Sequence, residues 1–398
     1  MVNLTMKEIN RYKVISEIME GYLRVKEAAE ILGVCERQIY RLKKRVRQEG
    51  AQGVVHRSRG KSRVRWLTQK VKDKIIEFYS TKYDGFNITH MTEHLTCDEG
   101  IRVSRESVRK MLLADGSYTR VKKRRKHRSR REPCAREGQM IQFDTSEHDW
   151  LEGRGPKLYL IGGIDDATSN CVGARFSSSD STVENMRVMR HIIEFRGIPL
   201  SIYCDSDSKF KTTRGKGVHY NIKSEHSETQ IERALRELGV RVIIARSPQA
   251  KGRVERAWGT FQDRLCSELR LHKISTMEEA NHYLIEEFIA YYNDRFARCP
   301  REEGLSYRPL SEDIDLNNIF CIKEERTAIS DNTISYNSRI FQILPDDYRM
   351  SYVKAKVMVH EHLDGSIHIF YKERELNQKE IPKRRSKQGE RKLTTVKY

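Results

Sequence analysis

The sequence predicts a multidomain chain: an all-α N-terminal region built on a helix-turn-helix, an α/β core around a mixed five-stranded sheet with helices, and a small C-terminal β-barrel. Three observations predict it. Apolar residues recur at helical spacing through the first 113 residues. From Gly138, short apolar runs bounded by turn residues alternate with helical stretches. Beyond about Ile319 only strand-like runs remain. The chain's 398 residues leave room for two to four domains. The divisions expected are 1–52, 66–116, a basic linker 117–137, a core 138–312, a β domain 319–380 and a basic tail 381–398.

The first region begins with a helix over Tyr12–Tyr22, with Val14, Ile15, Ile18 and Met19 on its apolar side. Val25–Leu32 follows, then Gly33-Val34 as a tight turn, then a helix over Glu36–Val46. Ala28 and Ala29 let two helices approach closely. The last helix carries Ile39, Leu42 and Val46 on one stripe and a cationic face opposite. Arg37, Gln38 and Arg41 are placed to meet base edges, with Lys43, Lys44 and Arg45 on phosphates. A helical hairpin with a merely solvated basic face is the competing reading.

His56–Arg65 is a polar, basic connection that would lie along a phosphate backbone. A second helical set spans Thr68–Tyr79, Ile88–Leu95 and Val103–Leu113. Ser104 is a suitable N-cap for the third helix, which presents Arg105, Ser107, Arg109 and Lys110. Arg120–Arg131 holds nine Lys/Arg in twelve residues, Arg124 and Arg125 among them. Such a block cannot fold on itself and suits a linker resting on phosphate.

In the core, Met140–Phe143, Leu158–Ile164 and Cys171–Phe176 read as three successive strands. A helix over Val183–Arg196, a strand over Ser201–Cys204, a helix over Thr229–Leu238 and a strand over Val240–Ala245 follow. Two apolar runs end in an aspartate, Asp144 and Asp205, and ligands in α/β sheets gather where strands give way to loops. The third element is Ser247–Leu265, where Val254, Ala257, Trp258, Phe261 and Leu265 form an amphipathic stripe. Glu255 flanks that stripe among Lys251, Arg253 and Arg256. Alone it reads as a salt-bridged surface residue. With Asp144 and Asp205 it makes a hard oxygen cluster of the kind that holds Mg²⁺. Asp165 and Asp166 sit in a hairpin turn, where aspartate is ordinary. Asp149 and Asp207 lie near the candidates without ending an apolar run. Ser206, Lys209 and Lys251 are placed to touch a backbone near the reacting bond.

A helix over Met277–Arg295 extends the core, and Asp364-Gly365 between two late apolar runs marks a hairpin in the expected barrel. Lys+Arg outnumber Asp+Glu 75 to 56, for a net charge of +19. That balance favours a nucleic-acid partner, although ribosomal and membrane-surface proteins can be as basic. No apolar run reaches the ~20 residues of a membrane span, so no membrane role is expected. The eight cysteines contain no CxxC pair, which fits a reducing cytoplasm. His90, His94 and Cys97 invite comparison with a zinc site, but the matching CxxC is missing and zinc is not expected.

The contexts FDTSEHDW, YCDSDSKF and SPQAKGRVER around Asp144, Asp205 and Glu255 resemble the DDE motifs of transposases and retroviral-type integrases. Within that superfamily the chain is most similar to bacterial insertion-sequence transposases of the ISNCY type, and the resemblance covers nearly its whole length. One departure is the interval between Asp205 and Glu255: 49 residues (255 − 205 − 1), longer than in many relatives. The polar stretch Lys211–Glu228 reads as the insertion responsible. The resemblance implies an RNase H-like core and an enzyme that binds terminal inverted repeats, cleaves a strand and joins it to target DNA. Asp144, Asp205 and Glu255 would be the catalytic and metal-binding residues, holding Mg²⁺ or Mn²⁺ as two ions per site. Double-stranded DNA, both terminal repeat and target, would be the partner, bound by a homodimer or larger assembly in the bacterial nucleoid. Two other classes stay open: a DNA-binding regulator that has lost catalysis, and a structure-selective nuclease on the same fold.

Overall fold

In a computed structural model of the chain, the residues described are 4–59, 67–119, 131–205, 209–210, 228–245 and 252–382. The fold has two units, Met1–Lys74 and Ile75–Tyr398. The first holds α1 (Met6–Glu20), α2 (Val25–Leu32) and α3 (Glu36–Glu49). The first helix starts six residues before the expected Tyr12 because Thr5 and Glu8 form a capping box. Glu8 Oε2 accepts the Thr5 N–H at 2.8 Å, and Thr5 Oγ1 accepts the Glu8 N–H at 3.4 Å. Gly33 ends α2 at φ 62°, a left-handed conformation that suits glycine. Val14, Ile15, Ile18, Ala28, Ala29, Ile39, Leu42 and Val46 close one core, as the periodicity implies.

Helix α4 (Gln69–Ser80) leads into the second unit, where α5 (Ile88–Cys97) and α6 (Arg105–Asp115) follow. Ser104 caps α6 by accepting the Ser107 N–H at 3.2 Å, as expected. The sheet of the core comprises β1 (Ile141–His148), β2 (Leu158–Asp165), β3 (Cys171–Ser177), β4 (Ser201–Cys204) and β5 (Arg241–Ile244). Its order is β3-β2-β1-β4-β5, with β1, β2 and β3 antiparallel and β1, β4 and β5 parallel. Helices α7 (Thr182–Arg196) and α8 (Gln230–Glu237) cover one face, packing on Ile141, Phe143, Ile202 and Cys204. The opposite face packs Leu160, Phe176 and their neighbours against α9 (Gly252–Leu271), α10 (Met277–Tyr283) and α11 (Ile289–Phe296). The helix expected over Met277–Arg295 runs from α10 to α11 through a π-helical turn at Leu284–Phe288.

Two expectations need correction. Strand β1 does not end at Asp144: it continues to His148, and its ladder with β2 runs unbroken to His148↔Leu158. The residues after Asp144 are polar, so apolar content stops while backbone pairing goes on. Secondly, the C-terminal strands do not close into a barrel. Beyond α12 (Leu316–Ile319) lie β6 (Cys321–Thr327), β7 (Thr333–Tyr336), β8 (Arg339–Ile343), β9 (Lys356–His362), β10 (Ile367–Tyr371), β11 (Arg374–Leu376) and β12 (Gln378–Ile381). They form a four-stranded sheet, β11-β10-β9-β6, and a separate three-stranded sheet, β12-β8-β7. Side chains from both, including Tyr336, Phe341, Val359 and Ile369, share one core.

Candidate active site and nucleic-acid interface

Asp144 and Asp205 come together through strand register. The β1–β4 partners are Ile141↔Ile202 and Gln142↔Tyr203, an offset of 61 (202 − 141; 203 − 142). The same offset carried on pairs position 144 with position 205 (205 − 144 = 61), immediately past the end of β4. Adjacent parallel strands lie about 4.8 Å apart. Side chains alternate along a strand, so residues 142 and 144 face away from the Ile141 and Phe143 core. They lie on the α9 face. Asp144 is half-buried and Asp205 exposed.

A buried polar bracket fixes α9 against β1. The Gln142 Oε1 accepts the Val254 N–H at 3.1 Å, at the residue before Glu255. Gln262 Nε2 donates to Ser146 Oγ at 3.0 Å farther along both elements. Eight helical residues rise about 12 Å and four strand residues about 13 Å, so helix and strand keep step between these ties. Glu255 therefore stands in the first turn of α9, exposed, over the face that carries Asp144.

Gln142 is in turn held by Asp166, whose Oδ1 accepts its Nε2–H at 2.6 Å. Asp166 is wholly buried and also accepts Arg253 Nη1 at 2.9 Å, the Cys134 N–H at 2.8 Å and the Arg131 guanidinium. Asp165 is equally buried and accepts from the Gly138, Ala167 and Thr168 N–H groups at 2.8, 3.0 and 2.9 Å. Its burial pushes the carboxyl up despite those donors. Asp166 is a turn residue, as expected, and also braces α9, whereas Asp165 is the last residue of β2, paired with Ile141. Asp166 and Gln142 carry no signal in the sequence: a turn aspartate and a strand glutamine are unremarkable until the fold buries them.

The expected cationic residues divide by environment. Arg37, Gln38, Arg41 and Lys44 are exposed on α3. Arg45 instead donates to the Val55 carbonyl at 2.6 Å, which ties α3 to the following turn. Arg105 is exposed, whereas Arg109 makes a two-point pair with Glu106 at 2.8 and 2.6 Å. Arg253 is committed to Asp166, and burial lowers its pKa. Arg256 is exposed, its Nε donating to the Gly252 carbonyl at 2.7 Å. Lys209 pairs with Asp180 at 2.5 Å. Asp180 also accepts from Thr145 at 3.0 Å, which places this pair on the sheet face opposite Asp144. Arg124, Arg125 and Lys251 lie outside the described residues, as do Ser206 and Asp207.

Helix α5 is docked on α9 by charge. Glu93 accepts from Arg264 at 2.6 Å, Tyr291 at 2.8 Å and Arg295 at 2.5 Å. Beside it, Glu268 Oε1 meets His90 Nε2 at 2.5 Å and His94 Nε2 at 2.8 Å. Burial pushes the Glu268 carboxyl up, but these two imidazoles draw it down to about 2. Cys97, grouped with the two histidines in the sequence, is exposed and outside this cluster.

A family described as winged helix-turn helix matches residues 11–72. A protein of Sinorhizobium fredii named as a transposase, y4bF, is 30% identical over 373 residues, covering 94% of this chain and 80% of its own. The transposase for insertion sequence IS1202 of Streptococcus pneumoniae is 28% identical over 412 residues, covering 94% and 87%. A simian T-cell lymphotropic virus intasome, solved with a PP2A regulatory subunit, aligns at TM-score 0.34 and 12% identity over 78% of this chain and 100% of that one. The HTLV-2 integrase catalytic core, solved with magnesium, aligns at TM-score 0.28 and 14% identity over 38% and 87%. Among the described residues, no helix is long and apolar enough to cross a membrane.

Proposed function

The chain belongs to the insertion-sequence transposases, and on that premise we propose a DDE polynucleotidyl transferase with Asp144, Asp205 and Glu255 as its catalytic carboxylates. Residues 11–72 bind DNA, and the exposed Arg37, Gln38, Arg41 and Lys44 are the contacts assigned to a terminal inverted repeat. The observation that supports the catalytic assignment is the register that aligns positions 144 and 205 on the α9 face, with Glu255 one residue past the Gln142–Val254 tie. Such a donor set, oxygen only and open to solvent at Asp205 and Glu255, fits Mg²⁺ or Mn²⁺. When bound, two such ions would activate the attacking oxygen and offset charge on the leaving one. The carboxylates fix where the reacting phosphate sits, and the RNase H-like sheet keeps their spacing. Arg256 is placed to neutralise the adjacent backbone. Two DNA ends must be held together, so at least a dimer is assigned.

Strand transfer tests this reading. Full-length protein is mixed with a labelled duplex bearing the element's own end, a target plasmid and Mg²⁺ or Mn²⁺, beside the Glu255→Gln variant. Joined product that disappears in the variant while end binding persists is the expected result. Cleavage without joining would instead identify a nuclease. End binding with no chemistry in either protein would identify a regulator, and a fully active variant would remove Glu255 from the site.

A further inference from the structure

We propose that His90, His94 and Glu268 form a transition-metal site, of the class that takes Zn²⁺, clamping α5 to α9. This rests on side-chain geometry and not on the catalytic assignment. His90 and His94 are four apart on α5 and so share one helix face. Their Nε2 atoms lie 3.3 Å apart. Two imidazoles on a tetrahedral Zn²⁺ at 2.0–2.1 Å require about that separation. The three ligand atoms all fall within 4.8 Å of one another. Glu268 Oε1, at 2.5 and 2.8 Å from the two nitrogens, closes the space an ion would take. Lengthening these two contacts by roughly 0.5–0.8 Å would open it to the tetrahedral spacing of about 3.3 Å.

The surroundings suit a metal. Asp98 Oδ2 accepts from His94 Nδ1 at 2.7 Å, the outer carboxylate that fixes a ligating imidazole's tautomer and aims its Nε2 lone pair inward. Phe86 stacks on His90 with centroids 4.7 Å apart, and Tyr83 lies 5.3 Å from His94. The Tyr283 hydroxyl reaches Glu268 Oε2 at 3.3 Å and steadies the carboxylate. Two imidazoles with one carboxylate prefer Zn²⁺ to Mg²⁺, so this site and the oxygen-only cluster at Asp144 would select different ions. A fourth position remains for water.

The test measures metal content of the full-length chain by plasma mass spectrometry after chelation, Zn²⁺ reloading and gel filtration, with Co²⁺ absorption as a second reading. About one Zn²⁺ per chain is expected, with the visible bands of four-coordinate Co²⁺. Asp98→Asn, on an exposed residue, should keep the fold by circular dichroism and weaken Zn²⁺ binding about 10- to 100-fold. His94→Gln should abolish retention, while Asp144→Asn should leave it unchanged. Absence of retained Zn²⁺ in the wild type would overturn the site, leaving an ion cluster only. Undiminished affinity in Asp98→Asn together with full retention in His94→Gln would place the metal elsewhere and overturn it equally.

Discussion

Two helical regions with similar sequence signals are built differently. Helices α1–α3 bury their own apolar stripe, and Arg37, Arg41 and Lys44 of α3 stay exposed. Helix α5 turns its polar residues inward: His90 is buried, Glu93 and His94 are half-buried, and all three reach partners on α9 or α11. The first arrangement presents a surface to a ligand. The second spends its side chains on an internal joint. Helical periodicity looks alike in both, although α5 carries no Lys or Arg, and what separates them is where their polar side chains find partners.

The largest effect expected is on chemistry. Asp144→Asn, or removal of divalent metal by chelation, should abolish strand transfer while binding of the end by the first region persists in a mobility-shift assay. Loss of binding alongside chemistry would show that the two regions are not separable. Next, Glu93→Ala should destabilise the second unit by about 3–5 kcal/mol, because it strips the buried Arg264 of its carboxylate. Chemical denaturation measures this, and a change under about 1 kcal/mol would show that the joint is incidental. Gln142→Leu should cost about 1–3 kcal/mol by leaving the Val254 N–H without its acceptor, and should slow joining more than it lowers the melting temperature. Thr5→Ala should cost about 1 kcal/mol, confined to the unfolding of α1–α3. Smallest of all, Arg41→Ala should leave stability within about 0.5 kcal/mol yet lower the salt dependence of DNA binding by about one ion. An unchanged salt slope would remove Arg41 from the interface.

Much of the fold was legible because its boundaries are local. Ser201–Cys204 is a strand over the expected residues, since it is a short apolar run closed by polar residues. The β1 boundary was not legible, because a central strand can carry polar residues when its neighbour supplies the hydrogen bonds. Closure of the C-terminal strands depends on pairing between distant segments, which strand propensity does not specify. In the candidate site, Asp205 follows directly on β4 as its apolar run implies, whereas Asp144 lies within β1, and the brace carried no signal. Asp166 reaches Arg253 across 87 residues, and Gln142 reaches Val254 across 112. His90 and Glu268 are 178 apart, so a zinc comparison confined to neighbours in sequence named Cys97 instead.

Helix α9 carries Glu255 near one end and Glu268 near the other, 13 residues on (268 − 255). At 1.5 Å per residue they are about 20 Å apart on one rod. The rod is a lever with its fulcrum among the Gln142 and Gln262 ties. With the fulcrum midway between the ties, Glu255 stands about 4.5 Å from it and Glu268 about 15 Å, so a tilt of roughly 3° moves the histidine end by about 0.8 Å and the Glu255 end by only about 0.2 Å: the ties hold the Glu255 end nearly still.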